Sequence, residues 1–205
     1  MAVPLLEPGR PVDAMAAAHL VYESDPPYYD YWFDSQQQVL GTLAALWQHP
    51  AGAYSASENR VIVDQQGLAA VVSSYPAALE GALGAASDAA LRAVCGGAAE
   101  HLLAREQVLA YLFPRLPDDA WYLRSLAVAA DRRGQGVGAA IVAHLIEQAR
   151  ARGYRQMLVD VDSGNPGAVR FYAGLGFEIL VETRVSQLLP HRLPASLRMA
   201  KLLNS

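Results

Sequence analysis

The sequence predicts an α/β domain, and three observations carry that expectation. Hydrophobic residues make up 53% of the 205-residue chain and charged residues 18%, a balance suited to a well-buried globular core. Short β-rich runs alternate with longer stretches of helical periodicity. Over residues 121–162, a strand, a glycine-rich turn, a helix and a second strand follow one another and read as one right-handed parallel crossover. The length suits one sizeable core, so a single domain over 1–205 is expected.

VPLLE (3–7) predicts a short strand, and Asp13 is placed to cap a helix running to Glu23, where SDPP stops it. FDSQQQVLGTLAALWQHP predicts a second helix, because Val39, Leu40, Leu43, Leu46 and Trp47 fall on one stripe that Pro50 and Gly52 close. Between them YESDPPYYDYWFD (22–34) reads as a loop crowded with aromatics and acids. RVIVDQQGLAAVVSSYP predicts a hairpin, with strands near 60–64 and 67–75 joined at Asp64 to Gly67. Residues 79–113 have helical period, interrupted at Gly96 and Gly97 and ended by Pro114, and so read as two helices. WYLRSLAVA (121–129) is a strand, apolar enough in its second half to be central. In the helix after the glycines, Val142, Leu145, Ile146 and Ala149 share a face, and Gly153 stands where a left-handed cap is expected. RQMLVDVD (155–162) is the next strand. A helix at 165–174, a strand at about 177–186 and a final strand, SLRMAKLL (196–203), complete the chain.

Net charge is −4, unevenly divided. Residues 1–120 carry 5 Arg against 14 Asp and Glu, whereas residues 121–205 carry 11 basic against 6 acidic residues. The acidic part argues against a nucleic-acid partner, and the basic part suits a compact polyanion. No apolar run is long enough for a membrane span, and the N-terminus lacks the pattern of a secretory signal. The one cysteine, Cys95, cannot form an internal disulfide, reads as a small buried apolar residue and fits a cytoplasmic location. The histidines are isolated, so no metal is expected.

RRGQGVG (132–138) concentrates glycine and arginine at a helix N-terminus. Free amides and the helix dipole favour an anion there, and guanidinium groups from Arg132 and Arg133 suit phosphate oxygens. Glycine lets the backbone approach closely. Gly134 to Ala139 also satisfy a loose dinucleotide fingerprint, with Asp160 at the end of the next strand. A dinucleotide fold needs more parallel strands than the remaining chain can supply, and no Gly-Lys-Ser/Thr follows. The plain alternative is a glycine turn with solvated arginines.

Two motifs resemble the GNAT N-acetyltransferase superfamily. Arg133, Gly136 and Gly138 match its coenzyme A pattern Q/RxxGxG/A. Asn165, Ala168, Phe171, Tyr172, Gly176 and Phe177 match NxxAxxFYxxxGF one helix and one strand later. The closing strand is also similar. This resemblance implies a GNAT fold: a mixed, mostly antiparallel sheet of about seven strands flanked by helices, with a helical insertion before the fourth strand. Residues 1–120 would form the substrate-side half and 121–205 the acetyl-coenzyme A half. The strands at 121–129 and 155–162 would splay, with pantetheine amides pairing to backbone at Leu126, Ala127 and Val128. The pyrophosphate would rest on Gly134, Gln135, Gly136, Val137, Gly138 and Ala139 beside Arg133, and Asn165 would hydrogen-bond the coenzyme arm.

By the same resemblance the reaction is transfer of an acetyl group from acetyl-coenzyme A to a primary amine by direct attack on the thioester. A backbone N–H near Val128 would stabilise the oxyanion and Tyr172 would be the general acid. Where some members carry a glutamate on the fourth strand, this chain has Arg124 and Ser125. The base is therefore left among Glu23, Asp25, Asp30, Asp34 and Asp119, acting directly or through water. The aromatic, acidic segment would wall the acceptor pocket, and its Glu23, Asp25, Tyr28 and Tyr29 suit a cationic amine, whereas Arg124 suits an acceptor carboxylate. The alternatives are a non-catalytic acyl-coenzyme A-binding or regulatory module and a dinucleotide-binding oxidoreductase. The acceptor and the oligomeric state are left open, a homodimer included.

Overall fold

A computed structural model describes residues 6–203, whose elements in order are as follows. Strand β1 (Glu7–Pro8) precedes helices α1 (Ala14–Ser24), α2 (Pro26–Trp32) and α3 (Gln36–Gln48). Strands β2 (Arg60–Asp64) and β3 (Gly67–Pro76) form the hairpin, and helices α4 (Glu80–Cys95) and α5 (Ala99–Ala110) form the insertion. Strand β4 (Ala120–Val128), helix α6 (Val137–Ala151), strand β5 (Gln156–Asp162), helix α7 (Pro166–Gly174) and strands β6 (Glu178–Thr183) and β7 (Ser196–Leu202) follow. Most of the expected first strand, residues 3–5, lies outside the described residues.

One seven-stranded sheet runs β1-β2-β3-β4-β5-β7-β6. Among the described residues only β4 and β5 pair in parallel; every other neighbour is antiparallel. Side chains alternate across it with the period of a strand. Val61, Val71 and Ala127 face α1, α3 and the insertion, while Ala70, Val72, Trp121, Leu123, Met157 and Val159 face α6 and α7. This is the mixed, helix-flanked sheet that the resemblance implies, and its single parallel pair is not the doubly wound sheet of a dinucleotide fold.

Two expectations of local structure are corrected. The aromatic segment between α1 and α3 is not a loop. Pro26 opens α2 at a position where its missing N–H costs nothing, and Asp25 caps it by accepting from the Tyr28 amide at 3.2 Å. Tyr29, Trp32 and Phe33 are buried, and the Trp32 indole donates to the Leu102 carbonyl at 3.0 Å. Asp13 makes no side-chain cap for α1; its carboxylate accepts from Arg10 instead. Cys95 is half-buried at the end of α4, packed against the core.

Candidate active site

The sheet opens where the crossover begins. Strands β4 and β5 pair from Ala120 with Gln156 to Leu123 with Val159 and no further, although both continue. The β5-facing backbone edge of residues 124–128 is therefore free of strand pairing, and Leu126, Ala127 and Val128 are held on the other side by β3. Free strand edges accept an added extended chain through main-chain hydrogen bonds.

Beyond β4 the chain turns into α6 through Gly134 (φ 75°) and Gly136 (φ 82°), the left-handed region that favours glycine. The first helical bond is from the Ala140 amide to the Gly136 carbonyl. The amides of Gly134, Gln135, Gly136, Val137, Gly138 and Ala139 precede it without a well-formed bond to the backbone, and no side chain caps the helix. Gly138 serves a different need: a Cβ there would meet the Phe171 ring at 3.3 Å. Its bareness lets α6 approach α7.

The two arginines of the loop are held by protein carboxylates. Arg132 forms two hydrogen bonds to Asp64, at 2.8 and 3.0 Å, which fastens it to the β2–β3 turn. Arg133 donates to the Val128 carbonyl at 2.8 Å and to Glu23 at 2.7 Å. Glu23 thus faces the glycine loop rather than the acceptor side.

Asn165 caps α7, its side-chain carbonyl accepting from the Ala168 amide at 3.0 Å, which leaves its side-chain NH₂ to donate elsewhere. Tyr172 is buried, with Phe171 and Phe177 edge-on to its ring at 5.0 and 5.5 Å. Burial pushes its hydroxyl above the usual tyrosine range, so it stays protonated and able to donate.

On the opposite face, at the C-terminal end of β5, lies a cleft lined by Asp25, Tyr28, Phe113, Asp160, Asp162 and Ser196, among others. Asp160 is committed, paired with Arg198 at 2.6 and 2.7 Å and accepting from the Tyr122 hydroxyl at 2.8 Å. That engagement leaves it no ribose-binding role. Asp25 is different: burial, then the nearby charge of Asp162, pushes its carboxyl up to about 7. The other carboxylates considered from sequence are placed elsewhere. Asp30 accepts from Tyr22, Asp34 from Arg105, and Asp119 from Gln156 at the closed end of the crossover. Tyr29 lies in the core, 4% exposed. Glu106 on α5, which no motif marks in the sequence, is held at about 7 by burial, against the pull of Arg124. Among the described residues no cluster of histidine, cysteine and carboxylates could hold a metal ion, and no helix is long and apolar enough to cross a membrane.

Residues 80–177 match the Acetyltransferase (GNAT) family. Residues 80–177 carry a GNAT acetyltransferase domain. A solved acetyltransferase structure superposes on the chain with TM-score 0.65 and 26% identity, covering 98% of this chain and all of the other. The N-acetyltransferase of Staphylococcus aureus Mu50 shares the fold at TM-score 0.68 and 16% identity, over 96% of this chain and all of the other. Among curated relatives, the L-methionine sulfoximine/L-methionine sulfone acetyltransferase of Pseudomonas aeruginosa is 42% identical over 55 residues, 27% of this chain and 32% of the relative. The ribosomal protein bS18 alanine N-acetyltransferase of Escherichia coli K12 is 31% identical over 71 residues, 35% of this chain and 48% of the relative. The chain thus matches about a third to a half of these curated relatives' length.

Proposed function

We propose that this GNAT chain transfers an acetyl group from acetyl-coenzyme A to a primary amine by direct attack on the thioester. The observation that carries this reading is the pairing of a free β4 edge with a run of unpaired amides at the α6 N-terminus. One suits an extended amide-bearing arm and the other a pyrophosphate. The residues present fit the coenzyme. Leu126, Ala127 and Val128 offer the backbone edge, Gly134 to Ala139 the amides, Arg133 a guanidinium that Glu23 shares, and Asn165 a side-chain donor.

Bound acetyl-coenzyme A supplies an electrophilic carbonyl carbon and a thiolate leaving group. The free β4 edge beside Val128 supplies the backbone N–H that stabilises the developing oxyanion. Asp25 accepts the proton that the attacking amine gives up, directly or through water, its pKa near neutrality suiting a base that works at physiological pH. As the C–N bond forms and the C–S bond breaks, Tyr172 donates its proton to the departing sulfur. The amine reaches the site through the acidic cleft of Asp25, Tyr28 and Asp162. Relatives that acetylate amine-bearing acceptors, an amino-acid analogue and a ribosomal protein alanine by their names, support this reaction class.

Tyr172→Phe tests the assignment of the acid. The variant should lose about 100-fold in kcat while binding coenzyme A normally; full turnover with unchanged pH dependence contradicts it.

A further inference from the structure

Strand β4 carries one residue more than its partner at Arg124. Ser73 faces Ser125 and Ser74 faces Leu123, so Arg124 has no opposite number on β3. A bulge of this kind re-aims the side chain it frees. The Arg124 guanidinium lies over the Tyr54 ring, 4.3 Å from its centroid, with Tyr28, Tyr29 and Tyr75 as further neighbours. Among the described residues no carboxylate lies within ion-pair distance, 4.0 Å, of this guanidinium. Among the described residues it makes no well-formed hydrogen bond, although the Tyr54 hydroxyl lies near enough to feel it.

Arg124 is half-buried, and a cation drawn partly out of water without a counter-ion is costly, just as buried polar groups are almost always satisfied. Two more unpaired groups are close by. Among the described residues the Tyr54 hydroxyl and, beside the bulge, the Ser73 hydroxyl are buried without a well-formed hydrogen bond. Glu106 feels Arg124 but is held at about 7 by burial, so at neutral pH it is only partly ionised and leaves the guanidinium undercompensated. The bulge also sits one residue past Leu123, at the mouth of the opening between β4 and β5.

We propose that Arg124 and Tyr54 form the seat of an acceptor carboxylate, and that the acceptor is a free amino acid. This rests on the acetyl-transfer reading above. A guanidinium fork matches a carboxylate through two parallel hydrogen bonds, and the Tyr54 hydroxyl adds a neutral donor. Tyr28 lines the acidic cleft and also neighbours Arg124, which links a cation-attracting wall to an anion-attracting one. A zwitterion answers both. The carboxylate goes to Arg124, and the ammonium goes to the Asp25 side, where it loses its proton before attack.

The test uses the full chain, acetyl-coenzyme A and a panel of neutral L-amino acids. Each amino acid is paired with its carboxamide, with the corresponding amine lacking the carboxylate and with an amidated dipeptide. Thiol release gives kcat and KM, and calorimetry on the coenzyme A-saturated protein gives acceptor affinity. Free amino acids should exceed their amines by about 100-fold in kcat/KM, the scale of a lost buried charge pair. Arg124→Gln should abolish that preference through KM, with coenzyme A affinity unchanged, and Tyr54→Phe, which keeps the ring, should weaken it several-fold if the first variant fails to fold. Equal use of amines or carboxamides overturns the proposal, as does an Arg124→Gln enzyme that keeps the preference. Preference for the amidated dipeptides also overturns it, by pointing to peptide N-termini. Thiol release with amines alone leaves acetyl transfer standing without this seat. Absence of coenzyme A binding fails the transfer reading, and the calorimetric arm then decides the seat separately: no amino-acid binding to the protein overturns it.

Discussion

Leu123 faces Val159, and no later residue of β4 finds a partner on β5. That last shared rung is where the sheet stops satisfying its own backbone on one side. Coenzyme A bound in the opening should therefore slow amide hydrogen exchange at residues 124–128 and 134–139, by about 10-fold or more at saturating ligand. The β2 strand, two places from β4 along the sheet, should be unaffected. Protection confined to the insertion helices would contradict the assignment.

The 2.7 Å bond between Arg133 and Glu23 joins α1 to the glycine loop across the two halves of the sequence. A carboxylate beside a phosphate seat opposes the phosphate and competes for the guanidinium. Glu23→Gln is expected to tighten coenzyme A binding by about 2- to 5-fold at low salt, an effect of the size of an exposed ion pair, and the gain should shrink at high ionic strength. Titration calorimetry at two salt concentrations measures it. Weaker binding by the variant would mean that Glu23 orients Arg133 for the ligand instead.

Asp25 predicts two pH dependences. As the base it must be ionised, so kcat/KM should rise with pH through about 7 and then level off. Asp25→Asn should remove most of the activity together with that limb, whereas Glu106→Gln, outside the cleft lining, should retain the limb. The stability effect has the opposite sign. Between the ordinary carboxyl value of 3.8 and about 7, the folded protein holds a proton that the unfolded chain releases, so stability falls as pH rises through that window. Asp25→Asn should flatten this part of the stability profile and be the more stable protein at neutral pH. Denaturant midpoints at a series of pH values check it.

Gly136 and Gly153 both have positive φ, 82° and 80°, at opposite ends of α6. Alanine at either should cost about 1–2 kcal/mol of stability by left-handed strain. Only Gly136→Ala should also weaken coenzyme A binding, by about 10-fold or more, because only that turn aims the free amides. Equal losses of affinity in both variants would place the ligand elsewhere.

Most of the fold was legible because its signals are local. The hairpin turn at Asp64 to Gly67, the glycine break at Gly96 and Gly97, and the apolar face of α6 each announce themselves within a few residues. Helix α2 was misread although its signal was present. Asp25 followed by Pro26 is an N-cap and first-turn pair, but the double proline reads equally well as a stop. The glycine loop was legible as an anion seat, yet its glycines divide by function only in three dimensions. Gly134 and Gly136 supply the turn, and Gly138 makes room for Phe171. The acceptor side was the least legible. Tyr54 lies in a turn, Glu106 on an insertion helix and Arg124 on β4, and only packing brings them together. Whether a carboxylate such as Glu23 or Asp34 is free or already paired is likewise a tertiary fact.

The central claim is that this chain moves an acetyl group from acetyl-coenzyme A to an amine, and the most direct measurement follows both products at once. Thiol release is recorded with an amine panel while mass spectrometry reads the acceptor. The account predicts amine-dependent release matched one for one by an acceptor heavier by a single acetyl group. Coenzyme A binding with no amine-dependent release across the panel would contradict it and leave a non-catalytic acyl-coenzyme A-binding module.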